Sequence, residues 1–320
     1  MTGGSIGMTR ELRTAREVFL AERPPFPHNM LVELTNSCNH KCVFCNHQNM
    51  RRRKKLCDMP FTFDIMKQAY ENGTREIGFY LVDEPFLNPD MEKYIAYAHE
   101  LEFEYIYLTT NGSLATLERM KRVINAGLNS IKFSVNAATP EIYEKIHGKN
   151  DYLTVKENIC ALRQYVAENG IDLSIFLSFV RTEITKGEVD RLRQDFEGIV
   201  DKVYIYDCGN EGVGMPDMIR NGLVSEGNLK LCEVPCNMVF NRLHITCEGY
   251  LNACCADVHG VLAAVDLHHM TLVDAWYSDI MVDLRRRFLN NQLEGTACYN
   301  CANNADLPVV PLNPALYQEA

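Results

Sequence analysis

Three cysteines, Cys38, Cys42 and Cys45, follow closely on the largely apolar run Met30–Leu34. The run predicts a strand, and a short loop that leaves a strand can aim three thiolates at one centre. Three thiolates fit a cubane iron–sulfur cluster and leave one iron without a protein ligand, whereas a structural zinc site takes four ligands. An open coordination position is where a small molecule binds and reacts. The spacing therefore predicts a reactive metal centre, with a zinc knuckle or unrelated buried thiols as alternatives.

The composition is that of a globular protein with metal or redox chemistry. The chain has 320 residues, 47% hydrophobic and 23% charged, which suits one large α/β domain with a small appendage. It has 13 cysteines but no signal-peptide pattern and no apolar run near the ~20 residues of a membrane span. We therefore expect a cytoplasmic protein whose cysteines bind metal rather than form disulfides. The net charge of −10 argues against attraction of the whole protein to nucleic acid.

A run of five basic residues, 51–55, stands out against this acidic background. Such a run is usually a solvated loop. Because it follows the three cysteines closely, it could also hold a phosphate or another anionic part of a substrate. Modification of RNA is a further reading, but the acidic net charge and the lack of an RNA-binding appendage argue against it.

Strand and helix patterns alternate through the first two thirds of the chain. Alternation predicts parallel βαβ units with right-handed crossovers, arranged either as a six-stranded partial barrel or as a doubly wound sheet. A peripheral helix is expected over 10–21. The expected strands cover about 29–35, 77–81, 105–108, 130–135, 172–179 and 202–206, and the expected helices cover 62–72, 88–101, 114–126, 152–169 and 186–196.

Polar residues follow the carboxyl ends of the predicted strands, where ligands gather in parallel α/β folds. Glu84 follows the second strand and Asn111 the third, while Ser134 and Asn136 share one face at the end of the fourth. Each has a simpler explanation: a carboxylate at a helix start, a common Asn-Gly turn and capping of a strand end.

A second group of cysteines lies near the end of the sequence. Twelve residues separate Cys236 from Gly249, and four separate Gly249 from Cys254. The segments around Gly249 predict a β-hairpin. A helix expected over 272–290 then leads to Cys298 and Cys301. Four thiolates can close around one centre, either zinc or an iron–sulfur cluster. Cys255 is an alternative to Cys254 as the ligand.

Over about residues 30–305 these motifs together resemble the radical S-adenosylmethionine (SAM) superfamily. The resemblance implies a partial (β/α)6 barrel, a 4Fe–4S cluster on Cys38, Cys42 and Cys45, and SAM bound to the open iron. One departure is Val82-Asp83, which replaces two glycines of the family's G-G-E-P element. The residues that match the family's cofactor-binding positions are Phe44, Glu84, Asn111, Ser134, Asn136, His147 and Arg181.

The second cysteine group resembles the twitch form of the SPASM extension found on some radical SAM enzymes. This implies one auxiliary 4Fe–4S cluster held by Cys236, Cys254, Cys298 and Cys301. The expected organisation is an N-terminal extension (1–28), a radical SAM core (29–207), a linker (208–231) and an auxiliary cluster domain (232–320).

The resemblance implies a radical SAM oxidoreductase that acts on a polar small molecule, a sugar, aminocyclitol or sugar nucleotide. Its reductant would be a donor such as flavodoxin or ferredoxin. Four residues at strand ends could assist catalysis, and the sequence does not choose among Asp83, Arg181, Tyr206 and Asp207. The alternatives are a peptide-modifying radical SAM enzyme, for which 28 residues before the first strand leave little room for a peptide-recognition domain, and a non-catalytic zinc protein.

Overall fold

The structure is a computed structural model that describes residues 19–210, 223 and 234–317. The helix expected over 10–21 and the linker expected over 208–231 fall largely outside these residues. No helix in the described ranges has the length and apolar character needed to cross a membrane.

Within the described residues nine strands form one sheet. The strands are β1 Asn29–Val32, β2 Glu76–Phe79, β3 Tyr105–Thr110, β4 Ser130–Ser134, β5 Ser174–Arg181, β6 Lys202–Asp207, β7 Arg242–Ile245, β8 Tyr250–Asn252 and β9 Ala263–Asp266. Their order is β6-β5-β4-β3-β2-β1-β7-β8-β9, and β1 to β6 are parallel. The six parallel strands confirm the expected partial barrel, which is open because β6 and β9 are edges.

The helices of the described ranges connect and cover these strands. They are α1 Met59–Glu71, α2 Met91–Glu100, α3 Leu117–Asn125, α4 Pro140–His147, α5 Tyr152–Asn169, α6 Val189–Asp195, α7 Met238–Asn241, α8 Leu272–Trp276, α9 Asp279–Leu289 and α10 Ala297–Asn303. The single helix expected over 272–290 was wrong, because extended backbone at Ser278 separates α8 from α9. The expected elements did not include α7, α10 and β9, and for α4 they gave only a possible helix start at Pro140.

The two faces of the sheet have different environments. Met30 and Val32 of β1 belong to the main core, which includes the buried side chains of the helices. Leu31 points to the opposite face and packs with Tyr105 and Tyr107 in a separate cluster. At Gly78 of β2 a Cβ atom would lie 2.6 Å from Leu31 and from Tyr107. We call this second, concave face the lumen face.

The hairpin after β6 extends the same sheet. β7 pairs in parallel with β1 and places His244 beside Leu31. β8 and β9 continue as antiparallel strands, with Asn252 opposite His244 and Asp266 opposite Tyr250. Because paired residues share a face, the lumen face continues from the barrel across the hairpin. The division into a core domain and an auxiliary domain stays a prediction.

Candidate functional site

The loop that carries the first three cysteines is fixed to the end of α4. Lys41 N donates to the carbonyl of His147 and Val43 N to that of Ile146, both at 2.9 Å. Gly148 ends α4 with φ of +65°, and a Cβ atom there would lie 3.0 Å from Lys41 Cβ and from its carbonyl oxygen. Glycine therefore provides both the left-handed cap and the space for the loop to approach.

The three thiols of this loop converge. Burial raises the pKa of Cys38 to about 11. Burial also raises the pKa of Cys42, and the nearby charges of Cys45 and Cys38 raise it further. Three partly buried sulfurs that repel one another as thiolates need positive charge at their centre, since a thiolate is the metal-binding form. The donor set therefore fits a three-cysteine cluster.

Glu84 and Asn111 connect two strand ends to the cysteine loop. The buried Glu84 carboxylate accepts hydrogen bonds from Thr110 Oγ1 and Asn111 N, both at 2.7 Å. The Asn111 amide donates to Asn39 Oδ1 at 2.7 Å, next to Cys38. Burial raises the pKa of Glu84, although these hydrogen bonds act in the opposite direction. The ends of β2 and β3 thus form one polar rim beside the three cysteines.

Asp83 adds a second carboxylate to this rim. Its Oδ1 accepts a hydrogen bond from Leu81 N at 2.8 Å. Its Oδ2 is buried and has no hydrogen-bond partner among the described residues. Burial, and then the charge of Glu33, raise the pKa of Asp83 well above its usual range. A buried oxygen without a partner is costly unless a ligand completes its hydrogen bonds.

Ser134 and Asn136 lie at the carboxyl end of β4. Ser178 Oγ of β5 donates to Ser134 Oγ at 3.3 Å. Asn136 Oδ1 accepts from Val180 N at 2.7 Å, and its backbone N–H donates to His147 Nε2 at 3.3 Å. These contacts connect β4, β5 and α4 beside the cysteine loop.

The hydrogen-bond pattern fixes the tautomer of His147. Because Nε2 accepts the Asn136 N–H, the neutral ring carries its proton on Nδ1. Nδ1 lies 3.5 Å from Cys42 Sγ and 3.2 Å from His40 Nδ1. Burial, with the neighbouring His40, lowers the pKa of His147 to about 3, so the ring is neutral near pH 7. The single Nδ1–H of His147 is therefore shared between His40 Nδ1 and the Cys42 sulfur.

His40 extends this series of hydrogen bonds toward the surface. Its Nε2 donates to Asp151 Oδ2 at 3.1 Å, which leaves Nδ1 as the acceptor facing His147. Lys149 Nζ lies 3.1 Å from the same oxygen. Burial opposes ionisation of Asp151, but its hydrogen bonds and the charge of His40 hold its pKa below the usual range. The carboxylate thus orients both rings behind Cys42.

Two other expected site residues, Phe44 of the cysteine loop and Arg181 of β5, lie near the end of β5. Phe44 and Val180 pack against the buried pair Cys208 and Leu223. Arg181 is half exposed, and its Nε donates to Asp207 Oδ1 at 2.7 Å. The assignment of Phe44, Glu84, Asn111, Ser134, Asn136, His147 and Arg181 to cofactor binding stays a prediction.

The second cysteine group lies at the other end of the hairpin strands. The pKa of Cys254 is raised by a hydrogen bond shared with Cys255, then by burial and by the charges of Cys255 and Cys236. The same shared hydrogen bond lowers the pKa of Cys255, and so does His244. These three cysteines therefore meet, and either Cys254 or Cys255 can serve as a ligand.

Cys298 and Cys301 lie one turn apart on α10. Residues three apart in a helix share a face, and Thr296 caps the helix by accepting from Tyr299 N at 3.2 Å. Cys298 packs against the same core as Cys236 and Cys254. The assignment of Cys236, Cys254, Cys298 and Cys301 to one auxiliary cluster stays a prediction.

The second group also contacts the lumen. Cys255 packs with Tyr80 and Leu81 against the cluster of Leu31, Tyr105 and Tyr107, which lies on the lumen face. The first cysteine group stands at the carboxyl end of β1, on the rim of the same lumen. Both groups therefore border one concave space.

Arg52, from the basic run, connects the two parts of the sheet. Its Nη1 donates to Glu33 Oε1 at 3.1 Å and its Nε to Glu248 Oε1 at 3.0 Å, while Nη2 donates to the Oε2 atoms of both carboxylates. Glu33 is fully buried and also accepts from Cys247 N at 3.0 Å. Arg52 thus fixes the loop after the cysteines between β1 and the hairpin.

Sequence reasoning missed several residues that build this site. His40 stands between two expected ligands, where its spacing was a usable signal. The roles of Asp151, Arg52 and His244 gave no local signal, because their partners are distant in sequence.

Comparisons with known families and curated proteins agree with this geometry. The family model described as "Radical SAM superfamily" matches residues 32–194, half of the chain. A PqqA peptide cyclase from Streptomyces rochei is 29% identical over 52% of this chain and 43% of its own length. A GTP 3',8-cyclase from Nautilia profundicola is 24% identical over 70% and 79%. A probable GTP 3',8-cyclase from Methanococcus maripaludis is 31% identical over 40% and 43%. The chain thus spans less than half the length of the first and third of these relatives.

Solved structures share the fold at low sequence identity. BtrN in complex with AdoMet and 2-DOIA is 15% identical, with a TM-score of 0.57 over 86% of this chain and 92% of that one. SuiB of Streptococcus suis bound to the precursor peptide SuiA is 16% identical, with a TM-score of 0.66 over 88% and 71%. The enzyme anSMEcpe with bound AdoMet and a peptide is 15% identical, with a TM-score of 0.58 over 81% of each chain.

Proposed function

Because the chain belongs to the radical SAM superfamily, we propose that it is an oxidoreductase that removes two electrons from a polar small molecule. The proposed substrate class is a sugar, an aminocyclitol or a sugar nucleotide. Superfamily membership brings a 4Fe–4S cluster and SAM. We assign that cluster to Cys38, Cys42 and Cys45, and an auxiliary cluster to Cys236, Cys254, Cys298 and Cys301.

One observation carries the oxidative part of the proposal. Both cysteine groups border the same lumen, the first at the end of β1 and the second through Cys255. When bound, SAM and the first cluster supply a radical that abstracts hydrogen, and the second cluster supplies an acceptor for one electron. A substrate held between the two groups would be within reach of both. BtrN, whose structure holds 2-DOIA, supports the small-molecule class by its similarity over most of both chains.

Loss of hydrogen and an electron from a hydroxyl-bearing carbon also requires a proton acceptor for that hydroxyl. Arg181 and Asp207 pair with each other, which leaves both less suited to the task. Asp83 has a buried Oδ2 without a partner in the described residues, beside the first cysteine group. We therefore assign Asp83 as the group that accepts the substrate proton.

The direct test incubates the reconstituted holoprotein with SAM, dithionite and candidate sugars, aminocyclitols and sugar nucleotides. The proposal predicts formation of 5'-deoxyadenosine that depends on one substrate class, and a product lighter than the substrate by two hydrogen atoms. In Asp83→Asn we expect loss of product with SAM still bound, whereas Asp207→Asn stays within about threefold of wild type. A product of unchanged mass would overturn the oxidation, and normal turnover by Asp83→Asn would remove its assigned role.

A peptide-modifying enzyme is the second candidate. The sequence match to a PqqA peptide cyclase favours it, as does the fold shared with SuiB in its peptide-bound form. Assays of peptides in the same reaction distinguish the two proposals. A crosslinked or epimerised peptide, with no small molecule oxidised, would replace the first proposal by the second.

A further inference from the structure

We propose that the cavity above the hairpin is a binding site for an oxyanion, a phosphate or carboxylate group carried by a small molecule. The cavity has a volume of about 330 Å³, at the small end of the range for ligand pockets, roughly 300–1,000 Å³. Arg52, Arg53 and Lys55 of the basic run line one side, and residues of the hairpin and of β9 line the other. This proposal does not depend on which substrate the enzyme oxidises.

The cavity lies on the functional side of the sheet. Tyr250 and Asp266 line it and face each other across β8 and β9. Tyr250 shares its face with Asn252, two residues along the strand, and Asn252 pairs with His244. His244 in turn lies beside Leu31 of the lumen. The cavity therefore opens on the lumen face and not on the side covered by the main core.

Two contacts connect the cavity wall to the cysteine loop. His259 Nε2 lies 2.8 Å from Nδ2 of Asn46, the residue after Cys45. Asn36, two residues before Cys38, donates from Nδ2 to the Arg53 carbonyl at 2.7 Å. A ligand in this cavity would therefore contact Arg53 and His259, whose hydrogen-bond partners flank the first cysteine group on both sides.

The charges of the wall favour an anion. Both carboxylates that line the cavity already have cationic or imidazole partners, since Glu248 pairs with Arg52 and Asp266 accepts from His268 Nδ1 at 2.7 Å. Arg53 and Lys55 line the same cavity, and neither side chain makes an ion pair within the described residues. The positive charges of Arg53 and Lys55 are therefore not neutralised by a carboxylate among the described residues. These two cations suit a phosphate or carboxylate ligand.

The wall also contains an unused polar atom. His259 Nδ1 is buried and has no hydrogen-bond partner in the described ranges. Burial lowers the pKa of His259. Because Nε2 accepts from Asn46 Nδ2, the neutral ring carries its proton on Nδ1 and can donate one hydrogen bond to a ligand. Together with Tyr250, this atom gives the site polar contacts for the uncharged part of a small molecule.

The test is calorimetric titration of the SAM-saturated holoprotein in phosphate-free buffer. Saturating SAM excludes binding at the SAM site. The probes are inorganic phosphate, glucose 6-phosphate and, as a neutral control, glucose. We expect both phosphates to bind and glucose not to bind. Arg53→Gln/Lys55→Gln should weaken binding about tenfold or more. Lys54→Gln, from the same exposed run but outside the cavity, should leave binding unchanged.

The comparison of probes identifies the source of the anion. Tighter binding of glucose 6-phosphate than of inorganic phosphate would show that the site takes a phosphorylated small molecule, and equal binding would show that it takes the oxyanion alone. Equal weakening by Lys54→Gln would overturn the proposal, because binding would then reflect the basic run in general. Absence of phosphate binding, or unchanged binding by the double variant with its iron content retained, would also overturn it.

Discussion

Arg52 gives the sharpest prediction about what holds this fold together. Its guanidinium pairs with two carboxylates, Glu33 and Glu248, and the Glu33 side chain is fully buried. Arg52→Met keeps much of the apolar stem but leaves two carboxylates without their cation. Breaking a buried pair by removal of one partner costs about 3–5 kcal/mol. For a chain of this size that corresponds to a fall of roughly 6–15 °C in the unfolding midpoint.

The pH dependence of this loss has a definite sign. Burial alone would raise the pKa of Glu248, but Arg52 lowers it below the usual value. In wild type the ion pair therefore stabilises the fold above the unfolded-state pKa and is lost as the pH falls through the folded-state pKa. In Arg52→Met the Glu248 carboxylate, which has lost its cation, binds a proton more readily in the folded protein than in the unfolded chain. The difference in stability from wild type should therefore narrow from about pH 7 to about pH 5.

The assay is anaerobic thermal unfolding of the reconstituted protein, followed by circular dichroism at both pH values. Arg51→Met is the matched control, because Arg51 belongs to the same run and makes one exposed hydrogen bond, to Tyr317. It should change stability by less than about 0.5 kcal/mol. The stability of Arg52→Lys should lie between those of wild type and Arg52→Met, because an ammonium group cannot form bidentate contacts with two carboxylates. An unfolding midpoint of Arg52→Met within about 2 °C of wild type would refute this prediction, and so would an Arg51→Met variant that is destabilised as much as Arg52→Met.

Two further predictions concern the loop of the first cysteine group. His147→Phe removes the Nδ1–H donor 3.5 Å from Cys42 Sγ. Loss of about 1 kcal/mol of stabilisation of the reduced, more negative cluster should lower the reduction potential of the cluster by about 40 mV. An EPR-monitored redox titration measures this potential, and an unchanged value would contradict the prediction. Gly148→Ala should destabilise the protein more than Gly170→Ala and reduce iron incorporation, because both glycines have positive φ but only Gly148 has Lys41 3.0 Å from its would-be Cβ; equal unfolding midpoints would refute this reading.

Local patterns in the sequence were sufficient for the fold of the barrel. The alternation of apolar runs and helical periods predicted all six parallel strands, since each signal depends only on neighbouring residues. The break between α8 and α9 was missed because Ser278 interrupts an apolar pattern that continues on both sides. Strand β9 was missed because its sequence, Ala-Ala-Val-Asp, does not alternate apolar and polar residues and is half alanine, which is depleted in strands.

The site was predictable only where chemistry follows from spacing. The spacing of the three cysteines predicted a metal centre, but no pattern predicted the residues that orient them. His147 was expected only as a cofactor-binding residue, which stays a prediction, and its contacts with Cys42, His40 and Asn136 were not foreseen. The basic run was interpreted as a solvated loop or an anion site, whereas Arg52 within it forms internal ion pairs with Glu33 and Glu248. Some of these contacts join residues more than 100 positions apart, which no local pattern records.

The measurement that tests the account most directly is iron and sulfide content after anaerobic reconstitution, for wild type and for Cys38→Ala/Cys42→Ala/Cys45→Ala. Two clusters predict about eight irons in wild type and about four in the triple variant, with loss of reductive SAM cleavage. About four irons with about one zinc in wild type would keep the radical enzyme but remove the auxiliary electron acceptor. Iron content unchanged by the triple substitution would contradict the assignment of the first cysteine group.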